Sequence, residues 1–156
     1  MVLDILKGTL AVVLGREIFY GGACGIRPDL YKILCAVAAV CGHNWPVYLG
    51  FRGGKGVATS AGALLGLAPA LLLGTALAWA AVAKVSGYVS VASMAAALIF
   101  AAMTFVFKTS PEMKIFGAVM AALLIVKHRG NIARLLAGTE PKIGQAKTPK
   151  AGDVLQ

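Results

Sequence analysis

Val57 to Ala83, VATSAGALLGLAPALLLGTALAWAAVA, holds no charged residue and one interruption, Pro69. How that run is read decides the fold. Unbroken, it is long enough for one tilted crossing of roughly 30 Å of hydrocarbon. Broken, it divides at Pro69, which removes a backbone donor and clashes with the turn before it. The flanking charges discriminate between the two. Further apolar segments run over Tyr88 to Phe107 and Ile115 to Val126, separated by polar turns at Lys84 to Gly87 and Lys108 to Lys114. With a single crossing, the Arg52/Lys55 loop and the basic segment after Val126 face opposite sides. Lys and Arg in short loops favour the cytoplasm, so both belong on one side. Splitting the run at Pro69 restores that, with Lys84 also inside and the 108–114 turn outside. The sequence therefore predicts two short helices meeting at Pro69. Segments shorter than a full span are tolerable only where their ends are buried in protein or line a cavity.

The composition agrees with a membrane protein. Of 156 residues, 59% are hydrophobic and 13% charged, and the mean hydropathy is +0.82. Soluble domains of this size are far less apolar. The net charge of +9 raises the question of nucleic acid, but the basic residues lie mostly between apolar runs and in the tail, where they fit inside-facing loops and anionic headgroups. Ala58, Gly62, Gly66, Ala70, Gly74 and Ala78 recur every fourth residue, a small-residue stripe that lets helices approach closely. Val2 to Leu14 reads as a first helix, short for a crossing at about 1.5 Å per residue, and Arg16 to Asp29 as the loop that ends it. Leu30 to Gly42 is the second apolar run. Asp4 and Lys7, three apart on one helix face, read as a structural ion pair. Met1 to Asp4 lacks the positive start of a cleaved signal peptide. Cys24, Cys35 and Cys41 lack metal-ligand spacing and read as free thiols. The expectation is an all-α polytopic membrane helix bundle of about five to six transmembrane or half-spanning helices. It forms one domain over residues 1–143, followed by a polar tail, 144–156, expected to be disordered.

Two segments carry chemistry. Gly42-His43-Asn44-Trp45-Pro46-Val47-Tyr48-Leu49-Gly50-Phe51-Arg52-Gly53-Gly54-Lys55-Gly56-Val57-Ala58-Thr59 is a glycine-rich basic loop. Gly53, Gly54 and Gly56 permit backbone conformations in which several N–H groups converge on an anion, with Arg52 and Lys55 supplying charge. A phosphate suits it. The P-loop pattern does not, because Gly56 stands where a Ser or Thr is required and Leu49 where a Gly is. The plainer reading makes Arg52 and Lys55 ordinary cytoplasmic anchors. The second segment runs from Lys127 to Lys142. As a helix it sets His128, Asn131 and Arg134 on one face, suited to a phosphorylated polyol. Its plainer reading is a basic amphipathic helix on the headgroups.

Together these segments resemble a known family. The loop from Gly42 to Thr59, followed by His128-Arg129-x-Asn131-Ile132-x-Arg134-Leu135-x-x-Gly138-Thr139-Glu140, is similar to two of the three signature motifs of the bacterial acyl-phosphate:glycerol-3-phosphate acyltransferases of the PlsY type. Leu3 to Gly8 and Tyr88 to Ser93 add lesser likenesses, and the resemblance covers nearly all the chain up to Ile143. It implies a multi-helix enzyme of the bacterial inner membrane, with the Arg52/Lys55 loop and the C-terminal segment facing the cytoplasm. Such an enzyme moves a fatty acyl group from acyl phosphate to position 1 of glycerol 3-phosphate, giving lysophosphatidate and phosphate. The family's first motif, a Ser-Gly-Asn and Gly-Ala-Thr-Asn loop after a first transmembrane helix, has no counterpart here. An N-terminal truncation is therefore expected, and with it the loss of part of the substrate site.

The expected site follows. Lys55, His128 and Asn131 are the catalytic candidates; Arg52, Gly53, Gly54, Lys55, Gly56, Ser90, Ser93 and Arg134 are candidates for holding substrate or phosphate. By the resemblance, Glu140 is structural and holds the last motif in place. No motif calls for a metal, a nucleotide or any other cofactor, and the expected partners are membrane lipid, acyl phosphate and glycerol 3-phosphate. Two other classes stay open at this point. One is a small anion transporter or channel subunit built on the broken helix at Pro69; the other is a structural membrane protein.

Overall fold

The computed structural model describes residues 1–19 and 27–145. Among them the chain forms α1 (Val2–Phe19), α2 (Pro28–Asn44), a 3-10 turn (Val47–Leu49), α3 (Val57–Leu67), α4 (Pro69–Ser86), α5 (Val89–Val106), α6 (Pro111–Lys127) and α7 (Arg129–Leu136). The described residues contain no strand, and the fold is an all-α membrane bundle.

The break at Pro69 is present. Ala68, at φ −155° and ψ 77°, closes α3 and opens α4, with Pro69 in the first turn of the new helix. There its missing N–H breaks no hydrogen bond. The chain therefore reverses. Past α4, Gly87 accepts the Ile143 N–H at 2.8 Å, and Lys55, just before α3, reaches Asn131 of α7. The loop before α3, the turn after α4 and the segment after α6 thus gather at one end, as the split at Pro69 requires. α4 and α5 are each long and apolar enough to cross a membrane, while α6 and α7 are bent by 55° about His128. Leu73, Leu77 and Leu98 point outward from α4 and α5, as lipid-facing side chains do.

Backbone contact fixes α1 on α3. A Cβ on Gly8 would meet the Thr59 carbonyl oxygen, and one on Gly62 the carbonyl oxygen of Ile5. At this crossing Thr9 Oγ1 donates to the Gly62 carbonyl at 2.9 Å. The stripe continues with Gly66 against Val12 and, beyond the break, Gly74 against Met103 of α5. The buried core lies between the helices and includes Val12, Ile33, Val40, Leu64, Leu71 and Met120. Phe100 and Phe116 meet edge to face there at 6.1 Å.

Three helix ends differ from expectation. α1 runs to Phe19, past the expected stop at Leu14, because Arg16 and Glu17 are exposed and pair at 3.6 Å, so the helix continues without burying charge. α2 starts at Pro28, well placed at a first helical position, with Asp29 favourable in the first turn. α6 starts at Pro111, inside the expected turn, because Ser110 caps it by accepting the Met113 N–H at 3.3 Å. At this end of the bundle Arg27 and Glu112 form an ion pair between α2 and α6. Asp4 and Lys7 pair at 2.7 Å. Cys35 and Cys41 are free. Cys24, with residues 20–26 of the expected 16–29 loop, and the tail from residue 146 lie outside the described residues.

Candidate active site

The site forms where α6 ends. Lys127 donates to the Asn44 carbonyl at 2.9 Å and stands 4.9 Å over the Trp45 ring, tying the end of α6 to that of α2. The next residue, His128, is both the last cap of α6 and the first of α7. Only 2% exposed, it is held by its Nδ1–H, which donates to the Leu124 carbonyl at 2.8 Å. That leaves Nε2 to face a ligand. Three residues on, Asn131 is also buried. Its Nδ2 donates to Glu140 Oε1 at 2.6 Å, and its Oδ1 accepts from Lys55 Nζ at 2.6 Å. Arg134 Nε closes the chain on Glu140 Oε2 at 2.7 Å.

A row of alternating partners results: Lys55, Asn131, Glu140, Arg134. A carboxylate can only accept, so Glu140 dictates which end of the Asn131 amide faces it and turns the carbonyl toward Lys55. Burial works against the Glu140 carboxylate, but hydrogen bonding from Asn131, Ser90 and Arg134 outweighs it, so the group stays ionised below the ordinary carboxylate range. The contact with Ser90 is loose, since its buried hydroxyl has no close hydrogen-bond partner.

Beneath this row opens a cavity of about 660 Å³, a size typical of ligand sites. Lys55, Ser90, His128, Asn131, Glu140 and Lys142 are among its polar residues. Leu64, Leu72, Ala96, Phe100, Phe116 and Met120 give it an apolar wall. The combination suits an amphiphile with an anionic head and a long apolar chain.

The other expected site residues have other surroundings. Arg52 is exposed and outside the cavity. The glycines serve close packing: a Cβ on Gly53 would meet the His43 carbonyl, one on Gly54 the His43 ring, and one on Gly56, at φ +78°, the Asn44 amide. The Gly54 N–H donates to the His43 carbonyl at 3.2 Å and so is not available to an anion. Ser93 lines the cavity, but its hydroxyl donates to the Val89 carbonyl at 2.8 Å and accepts from Trp79 Nε1 at 3.2 Å. Arg134, outside the cavity, is occupied by Glu140. The sequence reading missed Lys142, as well as Asn44 and Thr59, whose buried side-chain polar atoms have no partner among the described residues. Their positions next to the glycines carried no signal separating them from ordinary helix-end residues.

Fold and site together are those of a helical membrane protein whose cavity joins charged groups at one end to an apolar wall. The family model for glycerol-3-phosphate acyltransferase matches residues 1–138, and the chain belongs to that family. A glycerol-3-phosphate acyltransferase of Thermoanaerobacter sp. (strain X514) is 42% identical over 92% of this chain and 68% of its own length. Glycerol-3-phosphate acyltransferase 2 of Moorella thermoacetica is 46% identical over 91% and 69%, and the enzyme of Burkholderia thailandensis 45% over 93% and 70%. Among solved structures, the glycerol 3-phosphate form of PlsY (YgiH), an integral membrane glycerol 3-phosphate acyltransferase, superposes with a TM-score of 0.80 at 34% identity, covering 91% of this chain and 68% of that one. Its lysophosphatidic acid form gives 0.79 at the same identity, over 90% and 68%. Membership decides between enzyme and transporter in favour of the enzyme.

Proposed function

We propose that this acyltransferase uses acyl phosphate as donor and acylates the 1-hydroxyl of glycerol 3-phosphate, at the cytoplasmic face of a bacterial inner membrane. An acyl phosphate is a mixed anhydride with phosphate as a ready leaving group, so no acyl-enzyme is needed and positioning supplies much of the acceleration. Lys55 balances the charge of the donor phosphate, and the Ser90 hydroxyl, held only loosely beside Glu140, donates to it. His128 Nε2 accepts from the 1-hydroxyl and Asn131 holds the acceptor. The hydroxyl oxygen attacks the acyl carbonyl carbon, the carbon–oxygen bond to phosphate breaks, and the hydroxyl proton passes through His128 Nε2 to the departing phosphate. The acyl chain lies along the wall of Leu64, Leu72, Phe100 and Met120. The observation that carries this reading is the Lys55–Asn131 contact at 2.6 Å at the head of an apolar cavity.

The test compares membranes carrying the chain with membranes carrying Lys55→Ala, supplied with acyl phosphate and glycerol 3-phosphate and assayed for lysophosphatidate. Removal of one charge-stabilising donor is expected to lower kcat by about 100-fold or more. Wild-type turnover in a normally inserted Lys55→Ala protein would remove the proposed role.

A further inference from the structure

α1 adds no charged side chain to the cavity wall, yet it carries two beside the loop that holds Lys55. Lys7 Nζ lies 2.7 Å from Asp4 Oδ1 and 2.6 Å from His43 Nδ1. An ammonium only donates, so Nδ1 accepts and the ring carries its proton on Nε2. The same ring is packed against Gly54, where a Cβ would fall on Nε2, and the His43 carbonyl would meet a Cβ on Gly53. That carbonyl also accepts the Gly54 N–H at 3.2 Å. One residue thus grips two consecutive glycines immediately before Lys55. α1 itself has little freedom to shift, because the Gly8 and Gly62 contacts and the Thr9 hydrogen bond seat it on α3. It therefore holds both feet of the loop: the end of α2 through Lys7 and His43, and the start of α3 through backbone contact. An isolated Asp–Lys pair three apart on a helix stabilises it only weakly. Its contact with His43 gives it a larger purpose.

We propose that Asp4, Lys7 and His43 form a positioning chain that fixes where Lys55 stands. The pair on α1 braces the His43 ring, the ring and carbonyl brace Gly53 and Gly54, and the braced loop presents Lys55 Nζ to Asn131 and to the donor phosphate. Only the kinetic consequence rests on the acyltransferase reading.

The experiment has an arm for each part. Hydrogen exchange on the protein in lipid nanodiscs reads the loop directly, whether or not the chain is active. Lys7→Met, which removes the donor, and His43→Phe, which keeps a ring but loses the acceptor, are each expected to raise exchange in the peptide covering residues 50–58 at least fivefold. Peptides from α5 and α6 keep their rates. Lys7→Arg, which still donates, restores most of the protection. In the transfer assay, Lys7→Met and His43→Phe are each expected to lower kcat/KM for acyl phosphate at least tenfold. The double variant falls no further than the worse single one, because both substitutions break one chain. Unchanged exchange at 50–58, or a rise spread equally over all helices, would overturn the bracing. Local loosening with unchanged kcat/KM in an active protein would overturn its link to Lys55. If the wild-type chain shows no transfer, the donor assignment fails while the exchange arm still decides the bracing.

Discussion

Glu140 shows how much one residue controls through its hydrogen bonds. It faces a buried amide on one oxygen and a half-exposed guanidinium on the other, and it thereby turns the Asn131 carbonyl toward Lys55. Glu140→Gln keeps the shape but offers one acceptor and one donor, so the Asn131 amide is free to turn over and Arg134 loses its ionic partner. Hydrogen bonds to a charged group contribute about 1.5–3 kcal/mol each. A loss of about 2 kcal/mol is expected here because Arg134 is partly solvated, readable as a lower melting temperature in detergent. The pH dependence has a definite sign. The folded carboxyl titrates below its unfolded value of about 4.3, so its contribution is complete above that value and disappears as pH falls through the lower folded value. The wild-type melting temperature should approach that of Glu140→Gln as pH falls from the unfolded carboxyl value through the lower folded one. A constant gap across that range would contradict the ion pair's role.

Among the elements, α1 and α3 depend most on small residues. Ala58, Gly62 and Gly66 were legible as a packing stripe because helix periodicity alone puts them on one face. Which helix they meet was not, since Gly8 looks like any glycine in an apolar segment until the crossing is seen. The same limit explains the site. Lys55, His128 and Asn131 stood out by residue type, whereas the 2.6 Å contact between Lys55 and Asn131 joins positions 76 apart. The division of labour among the glycines, Ser93 and Arg134 also depended on neighbours that no local pattern names. The crossing yields a graded prediction. A methyl on Gly62 runs into backbone, the Ile5 carbonyl, whereas on Gly66 it meets the Val12 side chain at 2.9 Å. Overpacking costs about 1–3 kcal/mol and more where backbone must shift. Gly62→Ala should therefore lower thermal stability by about 3 kcal/mol or abolish a monodisperse protein, and Gly66→Ala should cost about 1 kcal/mol. Equal effects would mean that the two helices do not meet by backbone contact at Gly62.

At the scale of the whole molecule, the distribution of charge and one proline were enough to choose the topology. The run from Val57 to Ala83 is apolar enough to span once, and hydropathy by itself favours that. Positive charge on both sides of it favours two passes instead, and the geometry follows the charge: α3 enters, the chain breaks at Ala68, and α4 returns. Helix ends were less legible, because Ser110, Pro28 and the Arg16–Glu17 pair act through capping and exposure that hydropathy does not register. The two-pass arrangement has a consequence that a single pass forbids. Arg52, before α3, and Lys84, in the last turn of α4, lie at the same end, and Lys108, between α5 and α6, at the other. With Cys24, Cys35 and Cys41 replaced by serine, single Arg52→Cys, Lys84→Cys and Lys108→Cys variants are to be exposed to a membrane-impermeant maleimide. In intact spheroplasts only Lys108→Cys should label, and in inverted membrane vesicles only Arg52→Cys and Lys84→Cys, as positive charge retained in the cytoplasm requires. Labelling of Arg52→Cys and Lys84→Cys from opposite faces would restore the single crossing and separate Lys55 from Asn131 by the width of the bilayer.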